Sequence, residues 1–450
     1  MASPQRVATG NPSLLAKLHE ARKRTDAIFA LLSPNSFYDR PILERHRLIF
    51  YLGHLEAFDW NLLSPVLALP AANAAFDHLF AFGIDPVDGN LPSDEPKDWP
   101  HIAQTETYNR RTRERLDDAL DTADFYDRSR RGHDFETLLH VAIEHRLMHT
   151  ETLAYLLHNL PPGKLFRPAN LPDAAGSAPP RQKVKIVRGF ATLGQRRGRG
   201  ENFGWDNEFE EHRIYVPEFS IDEFPVTNQD FLAFVRAGGY EDASYWTEEN
   251  WQWRKSQRIS HPHLWILSDS SSPLAPKATW QYRSMFGTIP LPLSWPVYVS
   301  HAEAAAYASW AKVKLPSEAQ WHRAAYGVKD GSERDYPWGF VPPDESRGNF
   351  HFKRWDPAPV DAHPKGASSF GVQDMLGNGW EWTSTLFGPL PGFEPFPFYR
   401  GYSANFFDGK HYVMKGGSAQ TDASMLRRSF RNWFQPNYPY VYATFRCVEN

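Results

Sequence analysis

The chain has 450 residues, and its formal net charge of −4 comes from 49 basic and 53 acidic side chains. Its length predicts two domains, because a chain of this size exceeds what one hydrophobic core usually serves. The opposite charges are interspersed and form no long basic stripe that would neutralise phosphates, so we expect no nucleic-acid partner. No stretch of about eighteen apolar residues and no N-terminal signal segment occurs, so we expect no membrane span and a cytoplasmic location.

Apolar residues recur at helical spacing in the first third of the chain. The stretches that show this pattern are residues 13–32, 42–62, 104–122 and 135–159. A spacing near 3.6 residues predicts amphipathic helices, and together these stretches indicate a four-helix bundle over residues 1–160. Prolines and small residues then interrupt the periodicity from 161 to 183, which predicts a linker.

Two histidines lie one helical turn apart in the last of these helices. His145 and His149 share its apolar face, and His54 lies on the apolar face of the second helix. Since Cys447 is the only cysteine, a metal site would have to use His, Asp or Glu. Three imidazoles from two helices of one bundle suit a metal with open coordination positions. The alternative is that they are core histidines satisfied by hydrogen bonds, which is the commoner situation.

Other polar residues of the same helix fall off this face. A helix advances about 100° per residue, so His140 and His158 point well away from the pair, and we expect both at the surface. By the same arithmetic Glu151 is nearly opposite to His145 and His149. Glu151 is therefore a poor candidate for a metal ligand.

The pattern changes from Val184 onward to short β-like runs separated by long turn-rich segments. These runs are VKIVRGF (184–190), HRIYVPEFSI (212–221), HYVMKGG (411–417) and YVYATFRCV (440–448). One clear helix is predicted, over residues 301–312. With the high aromatic content, this indicates an α+β domain over residues 184–450 that has little regular structure for its length.

These strings together resemble a known enzyme family. FYLGHLEAFDWN (50–61) and HRLMHTET (145–152) resemble the metal-binding half of the ergothioneine-type and ovothiol-type sulfoxide synthases, in which a DinB-like four-helix bundle supplies three histidines to a non-haem iron. The second half resembles the formylglycine-generating-enzyme-like, C-type-lectin-related fold in FPVTNQDFLAFV (224–235), LPSEAQWHRAAYG (315–327), GVQDMLGNGWEWTST (371–385) and MKGGS (414–418). The likeness covers nearly the whole chain.

The resemblance implies an enzyme that uses Fe(II) as cofactor and O₂ as co-substrate. Members join sulfur to a histidine-derived imidazole and oxidise the sulfur, and for this chain we expect that imidazole to be hercynine. His54, His145 and His149 would hold the iron and leave positions for imidazole, thiolate and dioxygen. Formylglycine-generating activity itself is not expected, because it needs a cysteine pair.

The resemblance also nominates residues that contact substrate. The string FYRGYS (398–403) suggests Tyr399 as a proton donor and Tyr402 as a residue that holds the imidazole substrate. Asn432 and Trp433 match positions that contact hercynine, whose quaternary ammonium favours an aromatic wall through cation–π attraction. Phe434 is the neighbouring candidate for that wall. For either tyrosine, packing in the aromatic core is the alternative, and the same interpretation is favoured for Trp380 and Trp382 of GNGWEWTST.

Two positions depart from the relatives that use γ-glutamylcysteine. Those relatives carry an Asp directly after the Asn-Trp pair and an Arg a few residues later, where this chain has Phe434 and Tyr438. The dipeptide would lose two charge-assisted partners, each worth about 1.5 to 3 kcal/mol, so we expect another sulfur or selenium donor. Free cysteine is one candidate, and a selenosugar, as in the selenoneine synthases, is the other, because sugar faces pack on aromatic rings. Arg111 and Arg115, with Arg110 beside them, could bind a donor carboxylate, although a solvated helix face is the commoner role.

Two functions of other classes remain open. The chain could be a non-catalytic small-molecule binding module, or a zinc-dependent DinB-type thiol transferase that acts without O₂. Ovothiol-type relatives usually extend into a methyltransferase domain, and we expect none here because the sequence ends at Asn450. The donor, the oxidation state of the product and the oligomeric state are not predicted.

Overall fold

The computed structural model describes residues 12–81, 91–123, 135–166, 171–174, 176–197, 203–268, 273–274 and 278–449. The chain divides into two compact units, Met1–Pro168 and Ala169–Asn450. The first is helical, and the second mixes short strands with short helices, as the sequence predicted. Among the described residues, no helix has the length and apolar character that crossing a membrane requires.

The first unit confirms the predicted helices and adds a short one. Its helices are α1 (Pro12–Phe29), α2 (Leu48–Leu63), α3 (Ala74–Leu79), α4 (Ile102–Thr122) and α5 (Phe135–His158). The start of α2 was predicted six residues too early. The segment before it is held as a loop, because Arg47 donates from Nε to Asp94 at 2.9 Å and from Nη1 to the Tyr38 carbonyl at 2.7 Å.

Helix α5 packs against both α1 and α2. Its buried residues are spread around the whole helix rather than along one stripe. The prediction that His158 lies at the surface is therefore wrong, since only 3% of it is exposed. His140 is partly buried. A helix covered on several sides buries polar residues that an amphipathic helix would expose.

A network of buried charges ties the bundle together beside the histidines. Arg146 on α5 donates from Nε to Asp59 at 2.7 Å, and its Nη2 lies 2.7 Å from Glu56, both of which are on α2. Glu56 also accepts from Arg113 of α4 at 2.7 Å, and Asp59 lies 3.9 Å from Arg22 of α1. Arg146, Glu56 and Asp59 are at most 1% exposed. The network thus fixes α5 to α2, and α2 to its other neighbours.

Short strands of the second unit form separate small sheets. The order β1-β4-β12 joins Lys183–Ile186, Phe219–Asp222 and Val448–Glu449. The order β10-β9-β8-β11 joins Asn432–Phe434, Tyr412–Lys415, Trp380–Leu386 and Ala443–Thr444. Strands β2 (Gly189–Leu193) and β3 (His212–Val216) pair together, and a third group has the order β5-β6-β7, formed by Trp265–Leu267, Trp280–Ser284 and Gly287–Pro290. The predicted β-like runs are therefore confirmed as strands.

Helices of the second unit are more numerous than predicted. Helix α8 (His301–Trp310) confirms the predicted helix, but α6 (Asn228–Arg236), α7 (Glu248–Ser256), α9 (Glu318–Tyr326) and the short α10 (Gly401–Ala404) were not foreseen. Reciprocal capping marks the starts of α6 and α9, through Thr227 with Asp230 and Ser317 with Gln320. These capping boxes were a sequence signal that could have predicted both helices.

The GNGWEWTST string builds the core of the second unit. Asn378 has a φ of 63°, and its side chain donates to Asp374 at 2.7 Å and accepts the Ala358 N–H at 2.7 Å. Trp382 is fully buried and donates from Nε1 to the Val299 carbonyl, while Glu381 accepts hydrogen bonds from the buried Arg446. The string is a set of core contacts, which agrees with the structural interpretation favoured for its tryptophans.

Cys447 lies in the same core, directly before β12. It is fully buried, and its backbone N–H donates to the Asp222 carboxylate at 2.8 Å. Burial raises the pKa of the Cys447 thiol well above its ordinary value. This thiol therefore stays protonated and out of contact with solvent.

Candidate metal centre

Three histidines from α2 and α5 meet in the core of the first unit. His54, His145 and His149 each present one ligand nitrogen, and these nitrogens all lie within 4.8 Å of one another. The ring centroid of His54 is 5.3 Å from that of His145 and 5.1 Å from that of His149. None of the three is more than 3% exposed. The structure thus brings together the histidines that the sequence placed on inward faces.

Neighbouring groups fix the orientation of these rings. Nδ1 of His54 is 2.7 Å from the carbonyl oxygen of Phe80, which can only accept, so Nδ1 carries the hydrogen and Nε2 presents its lone pair. Phe58 stacks on His145 with centroids 3.4 Å apart and planes inclined by 10°. Phe50 stacks on His54 at 4.8 Å. The imidazoles of His54 and His145 are therefore held in place by the protein itself.

The three histidines are neutral. Burial lowers the pKa of His54 to about 4, although the hydrogen bond to Phe80 acts in the opposite direction. Burial, followed by the charges of neighbouring groups, holds the pKa values of His145 and His149 well below the ordinary value. A neutral imidazole has a free lone pair for a metal, whereas a protonated one has none.

The donor set fits a divalent transition metal. Within the described part of the chain, nothing forms a hydrogen bond with Nε2 of His54 or with either ring nitrogen of His149. Unpartnered polar atoms in a dry core are costly, and a metal ion would satisfy them. Imidazole suits Fe, Zn, Cu and Ni, and three protein ligands leave positions for substrates.

Tyr399, Tyr402 and Trp433 belong to one aromatic cluster in the second unit. The ring centroids of Tyr399 and Tyr402 are 5.5 Å apart, and Tyr402 and Trp433 form a T-shaped pair with centroids 5.5 Å apart. Trp433 stacks on Phe387 at 4.1 Å, with planes inclined by 7°. Burial and the nearby Asp206 raise the pKa of Tyr399 to about 12. The Tyr399 phenol therefore keeps its proton at neutral pH and can donate it.

Phe434 belongs to a different aromatic group from Trp433. Successive side chains of a strand point to opposite faces, and both residues lie in β10. Phe434 instead stacks on Tyr438 at 5.1 Å, with planes inclined by 14°. Asn432, also in β10, accepts the Trp433 N–H through its own Oδ1 at 2.8 Å. Trp433 and Phe434 therefore do not form a single wall.

The arginines predicted on α4 have unequal surroundings. Arg110 and Arg111 are exposed. The Arg115 guanidinium lies 4.6 Å from the Trp60 ring centroid and donates to the Pro70 carbonyl at 2.9 Å. These contacts give Arg115 a role in holding the bundle together. Arg113 was not singled out from the sequence, yet it joins the buried charge network through Glu56.

Several residues that shape these sites carried no sequence signal. Phe80 acts through its backbone carbonyl, which any residue could supply. Asp206 and Trp205 contact the Tyr399–Ser403 segment from nearly two hundred positions earlier in the chain. Contacts over such separations leave no periodicity in a single sequence.

Comparisons with known proteins cover both units. Residues 168–450 match the family described as sulfatase-modifying factor enzyme 1-like domain, and residues 17–153 match the DinB superfamily. A hercynine oxygenase of Mycobacterium tuberculosis is 39% identical over 54% of this chain and 55% of its own length. One of Mycolicibacterium smegmatis is 34% identical over 73% of this chain and 74% of its own length. Ergothioneine biosynthesis protein 1 of Neurospora crassa is 28% identical over 93% of this chain, which spans 56% of that relative.

Proposed function

The chain belongs to the sulfatase-modifying factor enzyme 1-like family and carries a DinB-superfamily domain before it, and from this membership we propose that it is a non-haem Fe(II)- and O₂-dependent synthase acting on hercynine. It would form a carbon–sulfur or carbon–selenium bond at the imidazole ring. The observation that carries the proposal is the buried set of three neutral imidazoles, His54, His145 and His149. The names of the relatives support hercynine as the substrate and oxygen as the oxidant.

The reaction balances without another redox partner. One hydrogen on the imidazole carbon and one on the donor thiol are replaced by a carbon–sulfur bond and a sulfur–oxygen bond. The second oxygen atom leaves as water, so the two substrates supply all four electrons that reduce O₂. Bound Fe(II) would activate dioxygen and hold both substrates in one complex, which removes the entropic cost of a three-body encounter.

The aromatic cluster of the second unit has the chemistry that hercynine requires. A trimethylammonium group offers no hydrogen-bond donor, and aromatic faces attract it through their quadrupole. Trp433 and Tyr402 supply such faces, and Asn432 supplies an amide for the polar part of the substrate. Tyr399 holds a proton on its phenol oxygen that it can deliver during the reaction.

The Phe434–Tyr438 pair favours a donor other than γ-glutamylcysteine. The two rings stack on each other, and neither side chain carries a charge that could pair with the ammonium or carboxylate of a dipeptide. Sugar rings, which are uncharged, pack well on aromatic side chains. We therefore favour a selenosugar over free cysteine as the donor. Free cysteine, unlike a sugar, has a carboxylate that the exposed Arg110 or Arg111 could bind.

Oxygen uptake by protein purified without air tests the proposal. The chain is loaded with either Fe(II) or Zn(II) and offered hercynine together with cysteine, γ-glutamylcysteine or a selenosugar. We expect uptake with Fe(II) only when hercynine and a donor are both present, and a product mass that contains both. Uptake without hercynine would refute the synthase. Turnover with Zn(II) in the absence of O₂ would identify a thiol transferase instead.

Two variants sharpen this experiment. His145→Ala should abolish uptake, whereas a mere binding module would keep its ligand affinity after this change. Phe434→Asp combined with Tyr438→Arg introduces a carboxylate and a guanidinium that can pair with the charged ends of a dipeptide. The donor preference should therefore shift toward γ-glutamylcysteine. An unchanged donor preference in that double variant would contradict the role given to the pair.

A further inference from the structure

We propose that a short turn formed by Trp205 and Asp206–Glu208, which we call the Trp205 turn, positions the substrate-binding tyrosines. Asp206 in this turn and Ser403, its hydrogen-bond partner, are the positioning residues. The inference rests on the proposed function, because it concerns how Tyr399 and Tyr402 are presented to hercynine. None of the residues in the turn was nominated by the sequence resemblance.

Buried hydrogen bonds join the turn to the tyrosine segment. The Ser403 hydroxyl donates to the Asp206 carboxylate, and the Asn207 amide donates to the Ser403 hydroxyl at 3.0 Å. Ser403 and Asp206 are fully buried, and Asn207 is 1% exposed. Ser403 directly follows Tyr402, so these bonds fix the backbone next to that ring. In a dry site such bonds do not exchange readily with water.

A ring contact adds to the same connection. Trp205 stacks on Tyr402 with centroids 3.9 Å apart and planes inclined by 23°. The Tyr402 N–H donates to the Tyr399 carbonyl at 3.1 Å, so the two tyrosines are linked through one backbone turn. Trp205 is itself fully buried, which leaves its ring little freedom to move. Tyr402 is thus held by Trp205, which stacks on its ring, and by the hydrogen bonds of the next residue, Ser403.

The other end of the turn holds the segment that leads to Trp433. Glu208 accepts hydrogen bonds from Arg427 at 2.8 Å and from the Ser429 hydroxyl at 2.6 Å. Arg431 donates to the Asn207 carbonyl at 3.4 Å and pairs with the buried Glu318 at 2.9 Å. One short turn therefore connects two distant segments, each of which carries residues proposed to bind hercynine.

The charge of Asp206 also acts on the proton donor. Together with burial, it raises the pKa of Tyr399, because a nearby carboxylate disfavours the phenolate. The same residue thus anchors Ser403 and keeps the Tyr399 proton in place. A purely structural turn would show only the first of these effects.

Ser403→Ala tests the positioning role, with Ser284→Ala as the matched control. Ser284 is also buried and donates its hydroxyl to a carbonyl, that of Gly287, in the β6–β7 hairpin. In Ser403→Ala we expect the KM for hercynine to rise about tenfold or more, which corresponds to the loss of a hydrogen bond to a charged group. The KM for the donor and the bound metal should not change. Hydrogen exchange of residues 396–406 should become faster than in the control.

Asp206→Asn separates the two effects of this residue. The amide oxygen still accepts from Ser403 but without the negative charge, so the KM for hercynine should rise by less than in Ser403→Ala. The negative charge is lost, so the alkaline limb of the pH–rate profile should move to lower pH as the Tyr399 pKa falls. A pH profile identical to that of the unaltered protein would refute the electrostatic part.

The outcomes distinguish this inference from the proposed function. If the unaltered protein has no hercynine-dependent turnover, the proposed function fails and the positioning role fails with it. If the unaltered protein turns over but Ser403→Ala behaves like Ser284→Ala, only the positioning role is refuted. Faster exchange with an unchanged KM would also refute it, because that result describes a structural turn without influence on substrate.

Discussion

Replacing Arg146 by methionine should destabilise the helical unit through the carboxylates that it leaves behind. Arg146 is fully buried between Glu56 and Asp59, and both distances are 2.7 Å. Glu56 keeps a close partner in the variant, because Arg113 remains 2.7 Å away. Of the arginines in the described residues that pair with Asp59, Arg22 remains, at 3.9 Å. The loss is therefore concentrated on Asp59.

The magnitude follows from removing one partner of a buried ion pair, which typically costs about 3 to 5 kcal/mol. Burial already raises the pKa of Asp59 despite Arg146, and the variant should raise it further. A carboxyl group with a raised pKa holds a proton in the folded state that it releases on unfolding. The variant should therefore recover stability as the pH falls toward 3.8, the ordinary value for Asp, and lose most at neutral pH.

Hydrogen exchange of α5 in the full chain measures the free energy of opening this unit without assuming two-state unfolding of both units. Arg146→Met should lower it by about 3 to 5 kcal/mol at neutral pH. Adding Asp59→Leu should restore part of the loss, since no lone carboxylate then remains. The exposed Arg110→Met serves as the control and should change it by less than about 0.5 kcal/mol. A loss below about 1 kcal/mol, or a double variant no more stable than the single one, would refute the reasoning.

Other predictions concern the metal site and the cores. His149→Ala should lose most of its bound metal in elemental analysis while its circular dichroism stays unchanged, and full retention of metal would contradict the ligand set. Gly53→Ala places a methyl group 2.5 Å from the Phe80 ring, so thermal unfolding should show a loss of about 1 to 3 kcal/mol. Because Phe80 also orients His54, chelator competition should show metal affinity about tenfold weaker, and an unchanged affinity would contradict that link. Burial raises the pKa of Asp374 to about 8. The free energy of unfolding of the wild-type protein should therefore fall relative to that of Asp374→Asn as the pH rises from about 4 to 8, by roughly 1 kcal/mol per pH unit. Parallel pH profiles for these two proteins would exclude this effect.

The burial of these histidines could be predicted because helical periodicity shows which residues share one face of a helix. His145 and His149 are one turn apart, and the apolar pattern around them indicates which face is buried. The same pattern was misleading for His158, because it does not show that α5 contacts helices on more than one side. The start of α2 was also missed, since side chains before it bind Asp94, far along the chain.

In the second unit the sequence alone indicated short strands and a loop-rich domain. Tyr399 and Tyr402 came from a family resemblance, and nothing local to them points to Trp205 or Asp206 as their neighbours. Phe434 and Trp433 point to opposite faces because both lie in the strand β10. The sequence did not indicate this, because three residues are too few to show an alternating pattern. Helices α6 and α9 were within reach, because their capping boxes are visible in the sequence.

The buried Cys447 makes this chain inert toward the compounds that the proposed reaction handles. Its sulfur is sealed in the core and stays protonated, so a thiol or selenol donor has no partner in the protein with which to form a mixed disulfide or selenenyl sulfide. Reductants added to protect such donors should therefore leave the fold unchanged. The outer surface is also free of native thiols, so a cysteine engineered near Tyr399 would be a unique attachment point for a spectroscopic label.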